Sequence, residues 1–157
     1  MITVSFDPSL TGWGYAVFHN DMLVDYGIVS TKKGKGRVAF DLVNRAFYIV
    51  DRLLPIIQSS DVIVSELPHG SQSSAAAVMI GMVIGISTAL SRASAKPIHF
   101  YLQRDWSIFI HGKHISDKNE TVKKILQLYE IKGSKRKVEA FADAVSVFLY
   151  HRARMPK

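Results

Sequence analysis

The sequence predicts an α/β domain built on one mixed, five-stranded sheet with helices on both faces. Three strand-like runs come first, and helical and strand-like segments then alternate along the chain. Strands that directly follow one another pair antiparallel, whereas strands separated by a helix pair parallel. This order therefore predicts three antiparallel strands followed by parallel ones, as the usual rules of chain connection require.

Length and composition fit one domain over residues 1–157, with 48% hydrophobic and 21% charged residues. The 20 Lys and Arg exceed the 13 Asp and Glu, so a net charge of +7 favours a polyanionic partner. The sequence has no cysteine, which excludes disulfides and thiolate zinc sites and suits a reducing compartment. No leader-like segment opens the chain, and we therefore expect a cytoplasmic protein.

The first three strands are indicated by β-forming residues between polar or structure-breaking positions. Residues 2–6 form a short apolar run that ends at Asp7 and Pro8. The runs GYAVFHN and MLVDYGIVST follow, with a short polar break at Asn20 and Asp21 between their apolar parts. A break this short predicts a hairpin and hence antiparallel pairing.

The middle of the chain predicts a helix, a strand, a second helix and a second strand. Apolar residues recur at spacings of three and four over residues 38–57, which predicts an amphipathic helix. Its inward side chains are expected to be Phe40, Val43, Phe47, Val50, Leu54 and Ile57. The runs DVIVSE and PIHFY are typical of buried strands.

The segment between those two strands, AAAVMIGMVIGISTAL at residues 75–90, carries no charge. It is shorter than the roughly 20 apolar residues that a membrane-spanning helix needs, so we expect no membrane partner. We predict instead a helix that is buried nearly all round. Gly81 and Gly85 lie four positions apart and form a smooth stripe that suits a core or dimer contact.

Two further helices close the chain. The segment SDKNETVKKIL predicts a helix with Ser116 as its N-cap. A final helix is expected from about residue 137 to residue 154.

Two carboxylates follow the ends of predicted strands. Asp7 ends the first strand, because Pro8 cannot continue a central ladder, and Glu66 ends DVIVSE ahead of Leu67 and Pro68. Gly12 then permits close backbone approach near Asp7. The simpler alternative is that Asp-Pro only starts a turn. If both acids end neighbouring strands, they face a common site.

The last helix carries two acids. Asp143 lies within the apolar run of VEAFADAVSVFLYH, and Glu139 precedes it by one turn on the same face. A buried carboxylate costs several kcal/mol unless a partner or a metal compensates it. The alternative is an exposed helix stripe on which Asp143 pairs with a basic residue such as Arg136.

Carboxylates from two strands and a helix, without thiolates, favour a hard cation such as Mg²⁺ or Mn²⁺. His111 and His114 lie three apart, but no further zinc ligand is near them in the sequence. Lys113 and Lys118 flank His114 and are either ordinary solvated lysines or contacts to a phosphate beside the metal.

Four segments in this order resemble the successive motifs of RuvC-like Holliday junction resolvases. They are SFDPSLTGWGYAVF, DVIVSELPHGSQSSAAAVMIGMVIGISTAL, HISDKNETVKKIL and FADAVSVFLYH. The resemblance covers nearly the whole chain and implies a ribonuclease H-like fold. It further implies a homodimer packed partly through the apolar helix and two-metal hydrolysis of DNA at four-way junctions. The resemblance includes phage-type members as well as bacterial ones, and for a viral protein the expected compartment is the host cytoplasm.

Residue roles carry over from this resemblance by position. Asp7, Glu66 and Asp143 match the family's metal-binding acids, and Lys118 matches a lysine near the scissile phosphate. The family commonly has an acid three positions before the last aspartate, where this chain has Ala140. We expect Glu139 to substitute as the fourth catalytic and metal-binding acid.

DNA contacts are expected from basic residues on loops, through the phosphate backbone. One cluster is STKKGKGR and another is KGSKRK. The predicted DNA-binding residues are Lys32, Lys33, Lys35, Arg37, His69, Lys113 and Lys118. His69 belongs to Leu67-Pro68-His69, where many family members carry an aromatic residue that opens the junction.

Other functions remain open at this level. The segment DPSLTGWG also resembles the phosphate-binding hairpin of actin-like ATPases and sugar kinases, but those proteins close two such domains around a nucleotide. A ribosomal RNA processing nuclease, a relaxed phage-type debranching nuclease and a junction-binding protein without cleavage are the remaining alternatives. The resemblance favours the resolvase.

Overall fold

The computed structural model describes residues 1–71, 73–114 and 117–155, which contain five strands and five helices. The strands are β1 (Ile2–Asp7), β2 (Gly12–His19), β3 (Met22–Ser30), β4 (Val62–Glu66) and β5 (Ile98–Tyr101). The helices are α1 (Val38–Gln58), α2 (Ser74–Ala93), α3 (Gln103–His111), α4 (Lys118–Leu126) and α5 (Lys135–Arg154).

The strands form one sheet in the order β3-β2-β1-β4-β5. β1, β2 and β3 pair antiparallel, while β4 lies parallel to β1 and β5 parallel to β4. The predicted mixed sheet is therefore confirmed. Because β1 and β4 are parallel neighbours, their carboxyl ends meet at one edge of the sheet.

One face of the sheet is covered by α1 and α2. Alternate strand residues, including Val4, Phe6 and Ile63, point to this side and pack with Ile49 and Leu53 of α1 in the main apolar core. This face contains mostly hydrophobic side chains. Its burial stabilises the fold through the hydrophobic effect.

The predicted inward face of α1 was wrong for three of its six residues. Phe40 and Phe47 are 66% and 64% exposed, and Val43 is also exposed. The buried residues of α1 are Arg45, Ile49, Leu53 and Ile57, spaced every four positions. The chain carries two apolar stripes on this helix, and helical periodicity alone does not tell which one meets the sheet. Val50, Leu54 and Ile57 were predicted correctly, since they pack in or against the core.

The prediction that α2 is buried nearly all round was also wrong. α2 is long and apolar enough to cross a membrane by length and composition, yet only 22% of its most apolar stretch is buried. Val83 and Leu90 pack into the core, whereas Gly81 and Gly85 are exposed and have open space around them. Composition shows that a surface is apolar but not whether the same chain covers it.

The second face of the sheet is covered by α5, with α3 and α4 beside it. Phe141, Ala144 and Val145 of α5 pack against Ala16 and Phe18 of β2. α5 begins two residues earlier than predicted, at Lys135, because the Ser134 side chain caps it by accepting a hydrogen bond from the Lys137 N–H.

Two details of the α3–α4 region differ from the prediction. α3 was not predicted, and His111 is its last residue rather than part of a loop. Its short apolar pattern, centred on Trp106, was too weak to indicate a helix. The predicted N-cap Ser116 lies outside the described residues. The N-cap of α4 is Asp117, which accepts a hydrogen bond from the Asn119 N–H.

Candidate active site

Asp7 and Glu66 lie side by side at the carboxyl edge of the sheet. The parallel register of β1 and β4 pairs Phe6 with Ser65, so the next residues along the two strands are the two acids. Pro8 and Pro68 follow them and stop either strand from continuing. Both side chains alternate away from the main core and toward the α5 face. The alternative that Asp7-Pro8 serves only a turn does not explain this pairing.

α5 brings Asp143 to the same place because it approaches the sheet closely. A Cβ atom on Gly14 would lie 2.7 Å from the Cβ atom of Ala140, so only glycine fits at this point of β2. The Ser5 hydroxyl donates a hydrogen bond to the backbone oxygen of Ala144 and fixes the helix against β1. Gly14 is in turn the β2 partner of Asp7. The carboxylate of Asp143 is thereby held in the interior beside Asp7, and the residue is 5% exposed.

Lys118 is the cation that pairs with Asp143. Its Nζ lies 2.8 Å from Oδ2 of Asp143, and the lysine side chain is 54% exposed while the aspartate side chain is 7% exposed. The alternative pairing of Asp143 with Arg136 on an exposed helix stripe is wrong. Arg136 instead donates a hydrogen bond to the backbone oxygen of Thr11. It thus ties α5 to the turn between β1 and β2.

Burial is the main cause of a raised pKa at all three acids, and neighbouring charges add to it. Burial raises the pKa of Asp7 well above its ordinary value, and the charges of Asp143 and Glu66 raise it further. Burial raises the pKa of Glu66 to about 7, with Asp143 as the next cause. Burial also raises the pKa of Asp143, although Lys118 opposes this shift. Three like charges are therefore concentrated beside one lysine.

Trp106 is a residue of this site that the sequence interpretation missed. Its indole Nε1–H donates a hydrogen bond of 3.0 Å to Oε2 of Glu66. The indole is 2% exposed and packs with Val64 and Val147, so it is held rigidly. The bond fixes one oxygen of Glu66 and leaves Oε1 to face other groups. An isolated tryptophan in a sequence gives no sign of such a contact.

Glu139 lies at the rim of the site rather than within the group of three acids. Its Oε1 is 3.7 Å from Nζ of Lys135, and its charge is a minor cause of the raised pKa of Asp143. Ala140 has no acidic side chain because it packs against Gly14 at the close approach of α5 to β2. Glu139, one position earlier, projects beside that contact.

A polar cleft of about 240 Å³ opens beside Asp7 and Lys118, and Glu66 and Asp143 are not among its lining residues. Its lining includes the side chains of Asp7, Ser9, Thr11, Lys118, Arg136 and Glu139. Acidic and basic groups thus line one concave surface, as in sites that hold a phosphate through a cation and a lysine.

The donor set fits a hard divalent cation. All the acidic ligands are carboxylate oxygens, and their mutual repulsion would be relieved by a bound positive ion. Within residues 1–71, 73–114 and 117–155, no three His, Cys, Asp or Glu side chains already have the arrangement of a metal-ligand group. Binding would therefore require the carboxylates to turn toward a common ion. His111 bonds through Nε2 to the Thr121 hydroxyl, a contact that does not support the zinc alternative.

The other predicted DNA-binding residues lie on exposed connections. Lys32, Lys33, Lys35 and Arg37 lie between β3 and α1, and the Gly34 N–H in the same loop donates to Asp41. His69 follows β4 and Lys113 follows α3, and both are exposed. Of the described residues that line the polar cleft, none is among these six.

Solved structures of three proteins are similar to this fold over most of the chain. Thermus thermophilus RuvC in complex with Holliday junction substrate has a TM-score of 0.77 and 17% identity, covering 98% of this chain and 96% of that chain. Fowlpox virus resolvase, solved with substrate Holliday junction DNA, has a TM-score of 0.65 and 17% identity, with full coverage of both chains. The yeast mitochondrial Holliday junction resolvase has a TM-score of 0.62 and 10% identity, covering 92% of this chain and 75% of that chain.

The fold is ribonuclease H-like, as in the RuvC-type resolvases. No protein-family model matches the chain, and no curated protein sequence matches it at a significant level. The structural likeness therefore supports the fold that the sequence motifs implied. Function has to be argued from the site itself.

Proposed function

We propose that the protein is a metal-dependent endonuclease that resolves four-way DNA junctions by paired nicks. One observation carries the proposal: Asp7, Glu66 and Asp143 converge from two strands and a helix, with Lys118 bonded to Asp143. Two structural neighbours with the same fold are resolvases by their own descriptions, and a third was solved with a Holliday junction substrate. The activity is assigned to a single nuclease domain over residues 1–157.

The three acids would hold Mg²⁺ or Mn²⁺, and we infer two ions per site. Divalent cations in such a site supply Lewis-acid charge and make a water molecule a better nucleophile at neutral pH. Asp7 is the central ligand because the charges of both other carboxylates raise its pKa. Glu66 is oriented by Trp106, and Asp143 is held by the packing of α5. Glu139 is the candidate for a fourth ligand from the rim.

Lys118 has a separate role in this mechanism. Its ammonium is half exposed, so it can turn from Asp143 toward a phosphate oxygen in the cleft. Burial alone would lower its pKa, but the ion pair and hydrogen bond with Asp143 raise it overall. It therefore remains charged at neutral pH. A fixed positive group beside the reacting phosphate stabilises the charge that gathers there in the transition state.

The exposed basic residues would bind the phosphate backbone around the junction. The connection between β3 and α1 carries four positive charges, on Lys32, Lys33, Lys35 and Arg37. His69 lies shortly after Glu66 in the sequence, at the end of β4, and Lys113 lies shortly before Lys118, at the end of α3. Neutralising several phosphates makes affinity fall steeply as salt rises. These contacts position the DNA but do not read its sequence.

A second copy of the chain would pack against the exposed face of α2. That face carries Val78, Gly81 and Gly85, has no charge between Ser74 and Ser91, and leaves open space at both glycines. A homodimer would place two identical sites on one junction, as paired cutting requires. The proposal assumes no membrane and assigns the activity to the cytoplasm, or to the host cytoplasm for a viral protein.

The deciding experiment uses end-labelled synthetic four-way junctions with Mg²⁺ or Mn²⁺. We expect symmetric nicks in opposite strands, and no nicks in EDTA. A matched panel of linear duplex, three-way DNA and structured ribosomal RNA tests the other nuclease alternatives. Binding of the junction without any cut would favour a junction-binding protein, and preferential cutting of RNA would favour a ribosomal RNA processing enzyme.

A further inference from the structure

A second cavity of about 270 Å³ lies beside the polar cleft, between the turn after β1, the segment after β4 and one face of α2. Its walls are mainly apolar and include Pro8, Leu10, Pro68, Met79, Ile80 and Val83. No charged side chain lines it among the described residues. Leu10 and Val83 are each 3% exposed, so the floor of the cavity is part of the core.

The cavity and the polar cleft adjoin each other at two shared lining residues. Ser9 and Thr11 line both of them, and their two hydroxyl oxygens lie 3.0 Å apart in a hydrogen bond. A charged surface that contains Asp7 and Lys118 thus adjoins an uncharged one across a single pair of hydroxyls. A ligand that fills both must join an anionic group to a compact apolar group at short range.

The turn that separates the two cavities is held in place before any ligand arrives. The backbone oxygen of Leu10 accepts hydrogen bonds from the Arg45 guanidinium at 3.0 Å and from the Thr31 hydroxyl. Arg45 is itself 8% exposed and pairs with Asp41 at 3.6 Å. Arg136 donates to the oxygen of Thr11 from the other side. A turn fixed from both sides makes a preformed pocket.

We propose that this apolar pocket receives the base of a nucleotide next to the scissile phosphate. The inference rests on the proposed nuclease function, because the phosphate of that strand would occupy the polar cleft. A nucleotide joins an anionic phosphate to a flat, mostly apolar base, which is the combination the two cavities require. Bases at a branch point are the easiest to unstack, since mismatched or unpaired bases pay the smallest cost of extrusion.

The lining also predicts how selective the pocket is. Contacts with Pro68, Met79 and Val83 are available to any base, because they need only an apolar surface. The hydroxyls of Ser9 and Thr11 are the polar groups that can bond to a base edge. The volume lies below the roughly 300–1,000 Å³ of pockets for drug-sized ligands, and so suits one heterocycle.

The test places a single abasic residue at each of the positions that flank the mapped nick. Removal of the base that fills the pocket is expected to lower kcat/KM by about 10-fold, since burying such a group contributes roughly 1.5 kcal/mol. Abasic residues farther along the strand are expected to have little effect. The inference is overturned if the intact junction is cut and every flanking abasic junction is cut equally fast.

Two pocket-filling variants, Ala76→Phe and Ile80→Trp, complete the test through their coupling with the abasic residue. Each variant lowers the rate on intact junctions, but the abasic penalty is expected to disappear because the base has already lost its site. An abasic penalty that persists unchanged in both folded variants contradicts the inference. Absence of cleavage by the wild-type protein on every junction overturns the proposed function itself and this inference with it.

Discussion

The helices α2 and α5 are equal in length but differ in how much of their surface is buried in the protein. Each has 20 residues, but α5 buries ten of them and α2 buries four. α5 encloses the charge of Asp143 inside the protein, whereas α2 exposes the uncharged surface around Gly81 and Gly85.

Both arrangements are unfavourable for the stability of the isolated chain. A buried carboxylate among like charges costs stability, and an exposed apolar face leaves hydrophobic surface in water. We infer that each helix is completed by something outside the chain. We propose a divalent cation for α5 and a second copy for α2.

The largest expected effect comes from removing the buried charge of α5. Asp143→Asn keeps the shape of the side chain but removes a cation ligand, so cleavage of junctions should fall by at least about 100-fold. Binding of the junction in EDTA should be retained. The matched control is Asp51→Asn, at an exposed position of α1, which should cleave normally. Normal cleavage by Asp143→Asn would show that Asp143 of α5 is not needed for the reaction.

The opposite helix is tested by filling its exposed stripe. Gly81→Leu combined with Gly85→Leu should weaken the dimer by about 100-fold, since overpacking costs roughly 1–3 kcal/mol at a tight contact. The monomer has open space at both positions and should fold normally. Sedimentation velocity measures the change, and Gly36→Leu, at a loop glycine with open space, is the control. An unchanged sedimentation profile would place the dimer contact elsewhere.

The hydrogen bond that orients Glu66 is tested by substituting two tryptophans, one that makes the bond and one that does not. Trp106→Phe removes the N–H that bonds to Glu66, so half-maximal activity should need about 10- to 100-fold more Mn²⁺. Trp13→Phe is the matched control, because Trp13 is fully buried and its Nε1 has no hydrogen-bond partner among the described residues. Equal Mn²⁺ requirements for the two variants would show that the bond to Glu66 has no positioning role.

The smallest effect concerns stability and pH. The pKa of Glu66 is about 7 in the folded protein, against an ordinary value of 4.5, so its ionisation destabilises the fold as pH rises between these values. Glu66→Gln removes this cost and keeps an oxygen that accepts from Trp106. In EDTA, the variant should gain about 1–3 kcal/mol over the wild type at pH 8 and much less at pH 5. Urea unfolding at both pH values measures the gain, and a gain independent of pH would refute the raised pKa of Glu66.

The sequence predicted the features that depend on chain-breaking residues. Asp7 and Glu66 could be placed at strand ends because proline follows both closely, whereas the adjacency of their strands was left open and comes from the structure. Asp143 stood out because it interrupts an apolar helical pattern. These signals are local: they single out the three acids, and the structure brings them together.

The sequence did not predict which helix faces and side chains pack against one another. The spacing of Phe40 and Phe47 was helical, but Ile49 and Leu53 are the residues that face the sheet. The contact between Trp106 and Glu66 joins residues 40 positions apart and leaves no trace in either segment. Periodicity identifies a helix, whereas packing decides its buried face.

The most direct test of the central claim is anomalous diffraction from crystals of the wild-type protein grown with Mn²⁺. The claim is that Asp7, Glu66 and Asp143 form one cation-binding site. We expect an anomalous peak within coordination distance of carboxylate oxygens from all three residues, and its loss in Asp7→Asn. A peak bound elsewhere, or a site that keeps its manganese without Asp7, would contradict the claim.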